Sequence, residues 1–200
     1  MTYIFNDEDE FNDLVIKDCS IEESKACNII FREVVFKNVI FTDIDWEDAE
    51  FIHVRFENCD LSNINIDKAI LHYSEFINCK LMGTHLMEAS MREVKFIGCQ
   101  CDYIVLGGSN MKDVTFDECH MNQAGLSVCK MNNVQFKNCE MQRVELSGTK
   151  LKGIDLSSCI IDGINLRLED VRGLSLSPAQ AVEFSKMLGV KVIEETKNSI

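Results

Sequence analysis

The residues of this chain best suited to chemistry are its ten cysteines, four histidines and 33 acids. Thiolates and imidazoles bind zinc tetrahedrally, and a thiol of lowered pKa beside a base is a nucleophile. The histidines, His53, His72, His85 and His120, lie far apart, and none forms a recognisable nucleophile–base arrangement with a serine, cysteine or carboxylate. The cysteines are more regular. Cys59, Cys79, Cys99, Cys119, Cys139 and Cys159 recur every twenty residues. The acids outnumber 20 lysines and arginines, giving a formal charge of −13, which argues against binding nucleic acid through a basic patch. No phosphate-binding glycine loop is present.

These spacings must come from the elements that carry them. The chain has 200 residues, enough for one domain of ordinary size, and its 46% apolar content allows a real core. One proline and ten glycines exclude a low-complexity chain. No apolar run approaches the roughly 18 residues of a membrane helix. The first ten residues are acidic, unlike a signal peptide, so the expected setting is a reducing cytoplasm with free thiols.

A period of five runs through the sequence. Phe11, Ile16, Ile21, Ala26, Phe31, Phe36, Phe41, Trp46, Phe51 and Phe56 are each five residues apart, and the series continues in apolar residues to Val171 and Leu176. Two positions before each of these centres stands a small or β-branched residue, such as Val34, Ala49, Cys59, Ala69, Thr84 or Ala124, with Glu169 the clearest exception. The other three positions are mostly polar. Neither a helix, with period 3.6, nor a strand, with period 2, gives this pattern. It requires a chain that turns a corner every five residues, with one large and one small side chain inward.

Cys59-Asp60-Leu61-Ser62-Asn63 shows the unit clearly. The pattern resembles the pentapeptide-repeat family over residues 11–176, and the resemblance implies a right-handed quadrilateral β-helix with four repeats per coil. Phe36, Phe56, Phe76, Phe96, Phe116 and Phe136 fall at intervals of twenty, as the six cysteines do, which agrees with four per coil. The expected fold is thus an all-β solenoid of about eight coils, a rod roughly 40 Å long at a strand spacing of about 4.8 Å. Residues 1–10 are expected to cap its N-terminal end, with Tyr3, Ile4 and Phe5 beginning or covering the first coil and Asp7 to Glu10 an exposed acidic turn.

At Ser177-Pro178 the pattern changes to a helix start, N-cap followed by N1. A short capping helix over 179–188 ends at Gly189, and Val190-Lys191-Val192 reads as a short strand. Residues 177–193 therefore form the C-terminal cap and a dimer contact through Val182, Phe184, Leu188, Val190 and Val192, and 194–200 form a tail. A solenoid needs such a closure, since an open coil is an aggregation edge.

Within this frame eight of the ten cysteines occupy the small inward position, where a thiol is a small apolar filler. Stacked cysteines have parallel Cβ vectors, which disfavours disulfides, and a straight ladder offers no convergent metal ligands. Cys27 points outward and is the best candidate for a reactive thiol. Gly107-Gly108 reads as a local bend or a bare patch. The sequence is read as a non-enzyme without metal or cofactor.

The charge is uneven. On the face of Leu61 and Leu81 the outward residues comprise seven acids and two bases, and on that of Trp46 and Ile66 six acids and three bases. The two opposite faces are close to neutral. Asp43, Asp45, Glu47, Asp48, Asp60, Asp67, Glu88 and Asp102 are the candidate partner-binding residues on the acidic pair. One reading of these surface acids is solubility alone; the sharper expectation is a DNA-like rod, and since DNA carries about one charge per 1.7 Å, the likeness is in shape and in one acidic stripe rather than in charge density.

The C-terminal stretch Val171-Arg172-Gly173-Leu174, Gln180-Ala181 and Met187-Leu188-Gly189-Val190-Lys191-Val192 resembles the end of the Qnr quinolone-resistance proteins, as does Phe96-Ile97-Gly98-Cys99-Gln100. That resemblance implies a homodimer that mimics DNA, binds DNA gyrase and topoisomerase IV and protects them from quinolones. The unbroken register is similar to that of the loop-free members. The alternative is a structural or adaptor solenoid binding another protein. Direct nucleic-acid binding, a membrane and a small-molecule substrate are not expected.

Overall fold

The computed structural model describes residues 4–187 and 189–193, apart from the side chain of residue 187. Its body is a parallel β-solenoid. One seven-stranded sheet stacks short strands from Glu10–Asn12 to Lys130–Asn132, and a second stacks strands from Val15–Lys25 to Gln135–Lys137. Every pairing is offset by twenty residues, as in Phe11↔Phe31 and Phe36↔Phe56, so one coil is four repeats. The remaining two faces are held by single bridges such as Asp60↔Lys80 and Asn65↔His85. Each sheet thus spans six twenty-residue steps, somewhat fewer than the eight coils expected. Beyond them the rod continues through isolated bridges, the last being Asp155↔Ser175.

The corners explain the period of five. Asp43, Asp48, His53, Asn58 and Asn63 all have φ between 52° and 59°, and the same left-handed conformation recurs at every fifth residue through most of the rod. Such a residue ends one extended segment and starts the next on an adjacent face. Asparagine, aspartate and glycine tolerate it best. Gly108 has φ +75° and is an ordinary corner in register, neither an irregular bend nor an interruption.

The core is a set of columns. Phe36, Phe56, Phe76, Phe96, Phe116 and Phe136 stack with ring centroids 4.6–5.3 Å apart and planes within 9°. Coil spacing leaves the rings no other arrangement, and stacked offset pairs are favourable. At the N-terminal end Phe5 is buried, with centroids 5.2 Å from Phe11 and 5.0 Å from Trp46, so this residue does cover the first coil. The Trp46 indole N–H donates to Ser24 Oγ at 2.8 Å.

The small position has a polar logic of its own. The Cys59 thiol donates to the carbonyl of Phe36, 23 residues earlier, at 3.4 Å, and Cys79, Cys99, Cys119 and Cys139 repeat the contact. Ser109 and Thr84 hydroxyls do the same to Leu86 and Leu61 at 2.9 and 2.7 Å. A donor of this size is therefore buried and satisfied, which is why cysteine, serine and threonine alternate with alanine and valine there.

At the C-terminal end the regular path fails where Glu169 would have to enter the small inward position. A short 3-10 turn, Leu168–Asp170, leaves Glu169 outside and buries Asp170 instead. The helix α1, Pro178–Met187, follows. Among the described residues Val190 to Val192 form no strand: they pair with no other segment, and a short unpartnered segment is not stable as a strand.

Candidate partner-binding surface

The eight candidate acids fall into two groups according to where the repeat places them. Asp43, Asp48 and Glu88 are corner residues with φ of 52°, 59° and 55°, and all three are exposed. The other five lie on the flat of a face, half-buried and engaged by the next coil. The Asp67 carboxylate accepts the Met87 backbone N–H, and that of Asp102 the Asn122 N–H, both at 2.7 Å. Asp45 accepts the Asn65 side-chain amide at 2.7 Å, and Glu47 the Lys68 ammonium at 2.7 Å. Asp60 accepts the Ser62 N–H at 3.1 Å and lies 3.5 Å from Lys80. Burial pushes the Asp60 carboxyl up, but Ser62 and Lys80 together outweigh it and leave its pKa below the ordinary value.

The near-neutral faces balance their charge across coils. Lys37 lies 3.0 Å from Glu57, Lys95 2.9 Å from Glu75, and Arg32 3.8 Å from Glu50. Lys37's hydrogen bond holds the Glu57 carboxyl below its usual range. On the acidic pair of faces bases are fewer: Lys68, stacked between the corner acids Asp48 and Glu88, and Lys80 beside Asp60 offset only part of the charge, so the stripe keeps its negative surplus. Such a field steers positively charged surfaces.

Eight of the ten thiols are buried and Cys19 is half-buried. Cys27 is exposed, as expected, but its pKa is raised by local desolvation and then by Asp7, Glu47, Asp45 and Asp48 around it, so it is less reactive than its position suggests. Burial pushes the Cys129 thiol up to about 11. All ten cysteines are free thiols. Among the described residues, no three His, Cys, Asp or Glu side chains are grouped to hold a metal ion, and no helix is long and apolar enough to cross a membrane. The histidines are outward on several faces: His53 stacks on Tyr73 at 4.8 Å, and His120 lies 3.1 Å from Glu140.

The C-terminal cap is built around a residue the sequence did not single out as functional. Ser177 and Gln180 form a reciprocal capping box, with the Ser177 N–H donating to Gln180 Oε1 at 2.7 Å and the Gln180 N–H to Ser177 Oγ at 3.3 Å. The Gln180 amide then donates to the carbonyls of Leu156 and Cys159 at 2.8 and 2.7 Å, pinning α1 to the rod. The S-x-x-Q spacing was legible in the sequence; the reach back to the rod was not. Asp170, also unforeseen, accepts the Gly148 N–H at 2.9 Å and pairs with Lys150 at 3.1 Å.

Of the expected dimer residues, Val182, Val190 and Val192 are exposed, at 42%, 52% and 39%. Phe184 is half-buried and, with Ile160, Ile161 and Ala179, lines a groove of about 480 Å³ between α1 and the last coil. Leu188 lies outside the described residues, as do Tyr3 and the tail 194–200.

Comparison with known proteins follows from this geometry. A family model described as "Pentapeptide repeat region" matches residues 49–120 and 107–166, and one described as "Pentapeptide repeats (8 copies)" matches residues 29–67. Curated proteins give no significant match. Among solved structures, a trypsin-treated variant of QnrB1, a plasmid-mediated fluoroquinolone resistance protein, aligns with TM-score 0.51 and 16% identity, covering 93% of this chain and 99% of that one. Full-length QnrB1 aligns with TM-score 0.40 and 13% identity over 90% and 100%. HetL, a pentapeptide repeat protein involved in heterocyst differentiation regulation in the cyanobacterium Nostoc, gives 0.39 and 15% over 85% and 90%. The first of these supports the solenoid fold.

Proposed function

The chain belongs to the pentapeptide-repeat family, and on that premise we propose that it is a DNA-mimicking protein that binds type II topoisomerases, DNA gyrase and topoisomerase IV, and shields them from quinolones. The observation that carries this reading is the charge division of the rod: two adjacent faces hold the acidic surplus while on the other two acids and bases nearly balance. A straight acidic stripe on a rod fits a basic DNA-binding saddle by complementarity. The Qnr-like C-terminal stretch favours the same partner. The protein acts in the cytoplasm, without cofactor or catalysis, as a homodimer joined through the exposed Val182, Val190 and Val192 at its C-terminal end. Phe184 and Leu188 belong to the same contact.

Equilibrium binding of purified gyrase tests the reading. The rod should bind, and duplex DNA should compete for the same site. Reversal of Asp43, Asp48 and Glu88 to lysine should abolish binding, while reversal of an equal number of acids on a near-neutral face should not. Binding that survives the acidic-face reversal would instead favour an adaptor solenoid with a different docking face. For the dimer, light scattering of Val182→Glu with Val192→Glu should show a monomer; an unchanged mass places the contact elsewhere.

A further inference from the structure

The acidic faces are not acidic along their whole length, and where the charge stops the surface becomes apolar. Between Asp102 and Glu140 the outward positions of these two faces carry no Asp, Glu, Lys or Arg. In this stretch and the coil before it, large apolar side chains stand into solvent: Met82 is 42% exposed, Met87 40%, Tyr103 51% and Val128 64%. Coils lie about 4.8 Å apart, so these four fall within two to three coils of one another. Asp60, Asp67 and Glu88 border them towards the N-terminus, with Lys68 and Lys80 among them, and Glu140 and Glu145 towards the C-terminus, with Arg143 between, so the rim is acidic in balance.

Scattered single apolar residues on a surface mean little, but a group rimmed by charge marks an interaction site. Two features of this group strengthen that reading. Tyr103 and Val128 occupy left-handed corners, with φ of 60° and 58°, where the fold elsewhere prefers asparagine, acidic residues and glycine. Val128 is the one β-branched residue at such a corner among the described residues, a conformation that costs free energy. No burial within the rod offsets that cost. Tyr103 is also held in place: its hydroxyl accepts the Gln123 side-chain amide at 2.8 Å. A fixed aromatic ring with an acidic surround has the anatomy of an interface centre and rim.

We infer that Tyr103, Met82, Met87 and Val128 form the apolar centre of the partner-binding surface, and that the partner presents an apolar hollow ringed by lysine and arginine. The charge complementarity of the acidic rim sets the partner's rim, and the exposed side chains set its centre. The inference rests on the proposed function and deepens it: the acids govern encounter, and the apolar centre governs how long the complex lasts. A purely electrostatic imitation of DNA has no use for such a centre.

Association and dissociation rates with immobilised gyrase test this, for the full-length protein and for Tyr103→Asn, Met82→Gln and the Asp43, Asp48 and Glu88 lysine reversal. Tyr103→Asn should weaken binding about tenfold or more, through faster dissociation, with the association rate and salt dependence unchanged. The lysine reversal should instead suppress association. Both single substitutions lie at exposed sites and asparagine suits the corner; should either lower the melting temperature, the other carries the comparison. Unchanged dissociation in both, with the reversal still abolishing binding, overturns the apolar centre alone. No binding by the unsubstituted protein overturns the gyrase reading, and this inference with it.

Discussion

Asp102 and Asp43 stand on the same acidic face, yet the structure gives them different work, and substituting each one separates the two. The Asp102 carboxylate accepts the Asn122 N–H of the next coil at 2.7 Å and is half-buried. A hydrogen bond to a charged acceptor contributes about 1.5–3 kcal/mol, and partial solvent screening reduces that to about 1–2 kcal/mol here. Asp43 is an exposed corner residue with φ 52°, where alanine would add backbone strain; asparagine suits the left-handed corner and, away from any such bond, costs about 0.5 kcal/mol or less. Urea unfolding should therefore show Asp102→Ala less stable than Asp43→Asn by about 1 kcal/mol or more, with unchanged m-value. Asp102→Asn should recover part of the loss, because its amide oxygen still accepts the N–H. Gyrase affinity should respond in the reverse order, falling more for Asp43→Asn than for Asp102→Asn. Equal stability of Asp102→Ala and Asp43→Asn would refute the claim that the flat-face acids brace the coil.

Three other outcomes follow from the same geometry. Phe96→Ala should cost about 3–5 kcal/mol in urea unfolding, and Phe96→Leu about 1–3 kcal/mol, because leucine fits the repeat but gives up two ring stacks of 4.8 and 4.7 Å. Gly98→Ala should destabilise although its site is on the surface, since a Cβ there falls 2.7 Å from Asn78 Oδ1 at a backbone φ of +61°; a neutral result in a thermal melt would contradict this. Asp170 is raised by burial but lowered more by Lys150 and the Gly148 N–H, so its folded pKa lies below the unfolded one. Its contribution is therefore present above the ordinary aspartate value of about 3.9 and is lost as pH falls through the folded value, so that Asp170→Asn is less stable than the unsubstituted chain at pH near 7 and converges with it in acid.

Much of the fold was legible because a solenoid repeats its packing rule. The apolar centres, the small position and the twenty-residue ladders of Phe36 and Cys59 are the same contact made again in each coil, and each repetition reinforces the others. What a repeat cannot announce is a contact made once. Asp170 looks like an outward residue in the register; it is buried because Glu169 cannot occupy the inward position beside it. Val190 and Val192 have strand-like composition, but a strand needs a partner, and among the described residues they pair with none. The candidate acids were placed on the correct faces by counting, whereas the division between exposed corners such as Asp48 and engaged carboxylates such as Asp67 depends on hydrogen bonds to residues twenty positions away. Tyr103 was passed over because one tyrosine in a polar column carries no signal until its exposure and its neighbours in other coils are known.

The central claim is that the acidic faces occupy the DNA-binding surface of a type II topoisomerase. It is tested most directly by gyrase supercoiling in the presence of ciprofloxacin, with the protein titrated in. The account predicts that supercoiling recovers as protein is added and that the Asp43, Asp48 and Glu88 lysine reversal fails to restore it. Absence of recovery at every concentration, with gyrase from the same organism, would contradict it.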